Sequence, residues 1–227
     1  MKSEIFRIKL GLNSCYLIRG KGIVMIDGGI PGKLKAFKRV LARLNLNPSD
    51  IKLIVLTHSH FDHSGSAQEI REFTGAKIAI YESERTYLED GGMIIPKGVN
   101  IYGKITQPLF FPIFKKISFP KFTPAILITD KPYLLNEFGI DGYIIHTPGH
   151  TIGSISVILD SGEAFVGCMA HNGFPFRLRP GLPIYAQDIN TIKKYWKLLI
   201  DKGVKMVYPG HGKPFPVEVL KKSLEYY

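Results

Sequence analysis

Residues 52–65, KLIVLTHSHFDHSG, set an almost continuously apolar run directly before three histidines and an aspartate. KLIVLT suits a strand buried inside a sheet. The polar residues that follow must therefore emerge at the end of that strand. Strand ends gathered along one edge of a layered α/β fold are where sites form, so this stretch fixes both a core element and a rim.

The rest of the chain is read around it. EIFRIKL, SCYLIRG and GIVMIDGG are short, β-branched and broken by glycines, with a turn at 20–22. A helix is predicted over 32–44, with Leu34, Phe37, Val40, Leu41 and Leu44 at helical spacing, stopped by Asn47–Pro48. A second helix is predicted over 64–73, then a strand at AKIAIY. Regular pattern resumes with AILIT, PYLL, GYIIHT, SISVILD and EAFVG. Asp188 is placed to cap a helix running to about residue 200, before a last strand in KMVYPGHG and a terminal helix in VEVLKKSLEYY. The order of elements suggests two similar halves, each a sheet with helices.

Residues 91–125 differ. They carry five prolines, several lysines and many aromatics, and fit neither a clean helix nor a strand. A segment this long without regular pattern is usually functional or disordered, and its aromatic content argues against disorder. It is read as an inserted cap or lid on one domain spanning 1–227, with packing or a homodimer contact as the alternative.

The 227 residues suffice for a sizeable core. No apolar run reaches the ~20 residues of a membrane span, and MKSEIFRIKLGL lacks a signal-peptide core. A cytoplasmic protein is expected. Cys15 and Cys168 are read as reduced thiols. The net charge of +11, with lysines at 33–38, 115–121, 193–197 and 221–222, favours anionic partners. Most of these lysines are nonetheless expected on solvated helix faces.

Of seven histidines, His58, His60 and His63 share six residues with Asp62. Imidazole and carboxylate are the ligands of divalent first-row metals. In His-x-His two rings can grip one ion, while Asp62 and His63, entering the next helix, can hold a second. His150 in HTPGHTIGS and His211 in YPGHG also sit just beyond apolar strands.

THSHFDHSG, TPGHTIGS and YPGHG, in this order, resemble the signature of the metallo-β-lactamase superfamily, and MIDGG resembles that family's early strand and turn. The resemblance covers nearly everything outside 91–125. It implies an α/β fold, a four-layer αββα sandwich with a two-metal site at one edge. It implies that His58, His60 and His150 bind the first metal, and that Asp62, His63 and His211 bind the second.

One position departs. The family's bridging ligand is an aspartate in a strand ending Gly-Asp, whereas here the stretch reads FVGC, with Cys168 in that place. Three readings stand. Cys168 is a thiolate bridging two metals; or it is a bystander beside one strongly held metal; or His171, three residues on, supplies the ligand.

The resemblance implies hydrolysis by a metal-bound hydroxide, with zinc, two ions, as the cofactor and iron or manganese as alternatives. In its compact length and plain terminal helix the chain resembles the family's small thioester and lactone hydrolases, which implies a thioester, lactone or related carboxylic ester as substrate. Aromatics of 91–125 could line a pocket for an acyl chain. Arg177 and Arg179 could bind a substrate carboxylate or phosphate, and Tyr185 could donate a hydrogen bond. A phosphodiesterase or nuclease, which the positive charge would suit, is the alternative, followed by an iron-dependent oxidoreductase and a non-catalytic metal-binding protein. His146 is expected to be structural.

Overall fold

The structure is a computed structural model describing residues 3–114, 116–173, 177 and 179–225. Two six-stranded sheets carry the chain. The first runs in order β1 (Glu4–Ile8), β2 (Cys15–Arg19), β3 (Ile23–Ile26), β4 (Ile51–Val55), β5 (Lys77–Tyr81) and β6 (Ile126–Ile128). It is antiparallel through β3 and parallel from β3 to β6. The second contains β7 (Tyr133–Leu134), β8 (Gly142–His146), β9 (Ile155–Leu159), β10 (Glu163–Asn172), β11 (Met206–Gly212) and β12 (Phe215–Pro216). Its spatial order is β12-β11-β10-β9-β8-β7, and only β10 and β11 pair in parallel. The helices are α1 (Leu34–Leu44), α2 (Phe61–Ser64), α3 (Ala67–Thr74), α4 (Arg85–Asp90), α5 (Ile101–Phe114), α6 (Ile189–Asp201) and α7 (Glu218–Glu225).

Strand periodicity sorts the core into layers. On β2, Tyr16 and Ile18 face the second sheet and join Ile144, Val157 and Phe165 there. Their neighbours Cys15 and Leu17 face the other way, onto Phe37 and Leu41 of α1 and Ile70 of α3. The outer face of the second sheet, with Ala164 and Val166, is covered by Ile192, Trp196 and Leu199 of α6 and by Leu220 of α7. The result is the αββα sandwich expected from the sequence.

α6 begins where expected, because Asp188 Oδ1 accepts from the backbone N–H of Asn190 at 2.8 Å and of Thr191 at 3.2 Å. Its fully buried Trp196 donates Nε1–H to Met169 O at 3.0 Å. That bond pins β10 one residue beyond Cys168. Emptying the Trp196 site would cost about 3–5 kcal/mol.

Three expectations are corrected. The helix predicted over 64–73 is two helices, α2 and α3, so that Asp62 and His63 lie within a helical turn. The strand read as ending at Gly167 continues to Asn172 after register shifts around Gly167, pairing His171 with His211 across β10 and β11. The middle of the irregular-looking segment is a 14-residue helix, α5, despite Pro108 and Pro112 inside it. Proline disfavours a helix interior, but tertiary anchors hold this one. Asn100 Oδ1 accepts from Gly103 N at 2.8 Å at the helix start. Gly103 lies so close to the 184 carbonyl that an added Cβ would stand 2.2 Å from Ile184 O. Thr106 Oγ1 is 2.6 Å from Tyr185 Oη.

Candidate metal centre

Beyond β4 the chain passes through Thr57 and His58 into α2, and the side chains of the His-rich loop turn inward. His58 Nε2 lies 3.0 Å from His60 Nδ1, and His150 Nε2 lies 3.2 Å from the same atom. Each ring is oriented by its other nitrogen. His150 Nδ1–H donates to Tyr185 O at 2.9 Å, and His60 Nε2–H to Ile94 O at 2.5 Å. His58 Nδ1 is 3.1 Å from Thr57 Oγ1. Such outer bonds select the tautomer whose lone pair faces inward. The loop itself is fastened by buried Glu84, which accepts from Ser59 N at 3.0 Å and from Ser59 Oγ.

A second group adjoins the first. His211 Nε2 lies 3.2 Å from Asp62 Oδ2, and His63 Nε2 lies 3.6 Å from it. Cys168 Sγ is 3.3 Å from His63 Nε2. His63 is aimed by Asp27, whose Oδ2 accepts from Nδ1–H at 2.7 Å. Asp27 is itself held by Thr57 N at 2.8 Å and Thr57 Oγ1 at 3.0 Å. Gly210 gives His63 its room, since a Cβ there would stand 2.6 Å from His63 Cε1. One donor atom each from His58, His150 and Cys168 lie within 4.8 Å of one another, and so do those of His63, Cys168 and His211. Cys168 belongs to both triplets.

The two groups carry different charge. Burial, then the rings of His63 and His60, pushes His58 well below its ordinary range. Burial and His150 bring His60 down to about 4. These imidazoles are neutral at pH 7, with lone pairs free for a cation. In the second group burial would lower His63, but Cys168, Asp27 and Asp62 raise it well above the ordinary value. His211, likewise buried, is raised to about 9 by Cys168 and Asp62. Burial would raise the Cys168 thiol, yet His63, His211, His150 and His58 hold it well below its usual value. Burial also opposes ionisation of Asp62, and His63 and His211 overcome it. The second group is a buried network of thiolate, carboxylate and imidazolium. Neutral imidazole, carboxylate and thiolate are the donors Zn²⁺ takes, and a metal would displace the protons that now neutralise the anions. The donor chemistry therefore fits a divalent ion at either group.

A cavity of about 240 Å³ opens onto both. Its floor has His60, Asp62, His150, Cys168, His171 and His211, and its walls are apolar, with Phe61, Met93, Ile95 and Ile184. Tyr102, Thr106, Phe110 and Phe114 of α5 close one side. Tyr185 is on the wall, with its hydroxyl at Thr106. Arg177 and Arg179 are not among the lining residues. Arg177 donates instead to Arg179 O at 3.2 Å and Leu182 O at 2.9 Å, tying its own loop together. His171, buried beside Cys168 and 4.9 Å from the His211 ring between centroids, reaches the same cavity. His146 stacks on Tyr81 at 3.8 Å and bonds Asp130 and Ile152 O, a structural position. Tyr208 packs on Phe165 and Tyr16.

Sequence reading missed Asp27, Glu84 and the 94 carbonyl as supports. Asp27 lies in MIDGG, and its left-handed backbone (φ 59°) is the kind of departure that marks a functional turn. No local pattern announces Glu84, which lies 25 residues from its partner Ser59.

The family model for the metallo-beta-lactamase superfamily matches residues 8–211. The probable metallo-hydrolase MJ0888 of Methanocaldococcus jannaschii is 28% identical over 204 residues, covering 88% of this chain and 87% of that protein. Hydroxyacylglutathione hydrolase GloC of Haemophilus influenzae is 26% identical over 226 residues, covering 98% and 96%. Among solved structures, TTHA1623 in a di-iron-bound form shares the fold with a TM-score of 0.68 at 19% identity, covering 98% of this chain and 100% of that one. With the family pattern running from β1 to β11 on an αββα sandwich, the chain belongs to the metallo-β-lactamase superfamily of metallo-hydrolases.

Proposed function

We propose that this protein is a two-metal hydrolase of a thioester, lactone or related carboxylic ester with an apolar acyl part. The observation that carries the reading is the cavity, whose floor is a ring of metal-ligand side chains and whose walls are apolar. His58, His60 and His150 would hold one ion. Asp62, His63 and His211 would hold the other. Cys168, within reach of both groups, would be the shared ligand in the position where the family has aspartate. Zinc accepts this mixed N, O and S set. Ions held there would supply Lewis acidity and a source of acidified water near neutral pH.

The chain's own residues do the rest. Phe61, Ile95, Phe110 and Phe114 would take the acyl part and keep bulk water from it. Asp62, held ionised, can accept a proton from water on the cavity floor. Tyr185 and Thr106 strap α5 over the opening, which makes that helix a cap. Asp27 and the 185 and 94 carbonyls keep the imidazoles in ligand tautomers. The name of the GloC relative, a thioester hydrolase, supports this substrate class. The described lining holds no Lys or Arg to meet a phosphodiester, which counts against a nuclease. Two free, buried cysteines suit a reducing cytoplasm.

The test is a substrate panel on zinc-loaded protein, with acyl thioesters and lactones of graded chain length beside bis(p-nitrophenyl) phosphate. Ester hydrolysis with kcat/KM rising with acyl length is expected. Faster phosphodiester cleavage, or no ester hydrolysis by fully loaded protein, would overturn the assignment. Loading with iron in place of zinc, the metal held by TTHA1623 in its di-iron-bound form, tests the metal: higher ester activity with iron would replace zinc in the scheme.

A further inference from the structure

No described element covers the outer face of α5. Ile101, Ile105, Leu109 and Ile113 are 79%, 62%, 66% and 56% exposed, and they recur every fourth residue, so they form one row along the helix. Pro108 and Pro112 widen the row and are also exposed. Large apolar side chains scattered singly over a surface need no explanation, but a contiguous stripe does. The inner face of the same helix is occupied, with Gly103 and Thr106 buried against the body and Phe114 on the cavity wall. Core formation therefore leaves the outer stripe unaccounted for.

Charge selects the occupant. From Gly91 to Thr129 the sequence contains five lysines and no aspartate or glutamate. Of these, Lys104 lies in the helix, Lys116 donates its backbone N–H to Ile113 O at its end, and Lys97 precedes Gly98, which bonds Gln107; all three are exposed. The whole chain carries a net +11, and the described cavity lining uses none of its Lys or Arg. An apolar stripe bordered by lysines, on a strongly cationic body, complements an anionic lipid surface: the stripe enters the acyl boundary and the lysines meet headgroups. A second copy of this chain would bring the same positive charge to the contact.

The geometry also limits depth. A helix of 14 residues rises only about 21 Å, short of a bilayer core, and no described helix is long and apolar enough to span one. Pro108 and Pro112 lack the N–H groups that would bond the carbonyls of residues 104 and 108. Such carbonyls are satisfied by water at an interface and not in hydrocarbon.

We propose that α5 is an interfacial membrane-docking helix, lying flat on an anionic bilayer through Ile101, Ile105, Leu109 and Ile113. This goes beyond the hydrolase reading and does not depend on it.

The 227-residue protein is sedimented with vesicles of phosphatidylcholine alone and of phosphatidylcholine with phosphatidylglycerol, at low and high salt. Binding to the anionic vesicles, weakened by salt, is expected. The double variant Ile105→Asp/Leu109→Asp should bind at least about tenfold more weakly, and Lys104→Glu/Lys116→Glu should lose binding to a similar extent. These positions are exposed, and circular dichroism should show both variants folded. Absence of binding by the parent, binding that survives either double variant, or equal binding to neutral vesicles would overturn the proposal. So would a parent dimer in sedimentation velocity that the Ile105→Asp/Leu109→Asp variant abolishes, since the stripe would then belong to a second copy.

Discussion

Replacing Asp27 with asparagine probes the centre without touching a proposed ligand. The Asp27 carboxylate is 1% exposed and accepts from His63 Nδ1 at 2.7 Å, Thr57 N at 2.8 Å and Thr57 Oγ1 at 3.0 Å. Asparagine is nearly isosteric and its oxygen can keep Thr57. Its amide NH₂ must then face His63 Nδ1. To accept that bond the neutral ring, the form that would bind a metal, has to carry its one proton on Nε2, the nitrogen 3.3 Å from Cys168 Sγ. A ring protonated there cannot ligate. Losing such an outer-shell partner costs about 10–100-fold in metal affinity, or roughly 1.4–2.8 kcal/mol. The loss should fall on the ion held by Asp62, His63 and His211. The ion of His58, His60 and His150 should keep its affinity, because none of those rings bonds Asp27. Competition titration against a chromophoric chelator reads both constants. Unchanged affinity for both ions, or equal weakening of the two, would refute the argument that Asp27 acts by fixing the His63 tautomer.

Three other outcomes follow from the same geometry. Metal-free protein should lose stability as pH falls from about 6.5 towards 4: His60 and His171, held near 4 when folded, take up protons at the ordinary value of 6.5 when unfolded. His211, raised to about 9, is protonated in both states below 6.5 and does not oppose the trend. Urea midpoints that stay level between pH 7 and 4.5 would contradict this. Gly210→Ala drives a methyl to 2.6 Å from His63 Cε1, so a loss of about 1–3 kcal/mol in urea unfolding is expected, together with weaker binding of the second ion; a neutral variant would show that β11 can yield there. Metal binding at the second group should release protons below pH 9, while His58 and His60 of the first group, already neutral, release few; calorimetry in buffers of different ionisation enthalpy counts them, and equal release at both would sink the charge assignment.

The parts legible in the sequence are those whose cause is local. KLIVLT reads as a buried strand and THSHFDHSG as a donor cluster because apolar run, turn and ligands adjoin one another. Asp188 announces α6 because capping acts over three residues. The alternation of strands and helices suggested two halves, each a sheet with helices, and the αββα layering followed from the resemblance of the histidine motifs. What stayed hidden depends on distant partners. Asp27 matters only because folding brings it to His63, and Glu84 only because it reaches Ser59. α5 was obscured by its prolines, whose cost is offset by contacts with residues 184 and 185, some 80 positions away. Cys168 is the intermediate case. Its place after FVG marked it, but that β10 sets the thiol within reach of two groups of histidines depends on long-range pairing the sequence does not display.

That thiol is the central claim, and metal content tests it most directly. Protein purified without chelator, and a Cys168→Ser variant prepared alongside, are analysed for metal per chain by elemental analysis. Two equivalents in the parent, falling towards one in the variant, is the result expected of a thiolate shared between two ions. One equivalent in both would contradict it, leaving Cys168 a buried bystander beside a single-metal site.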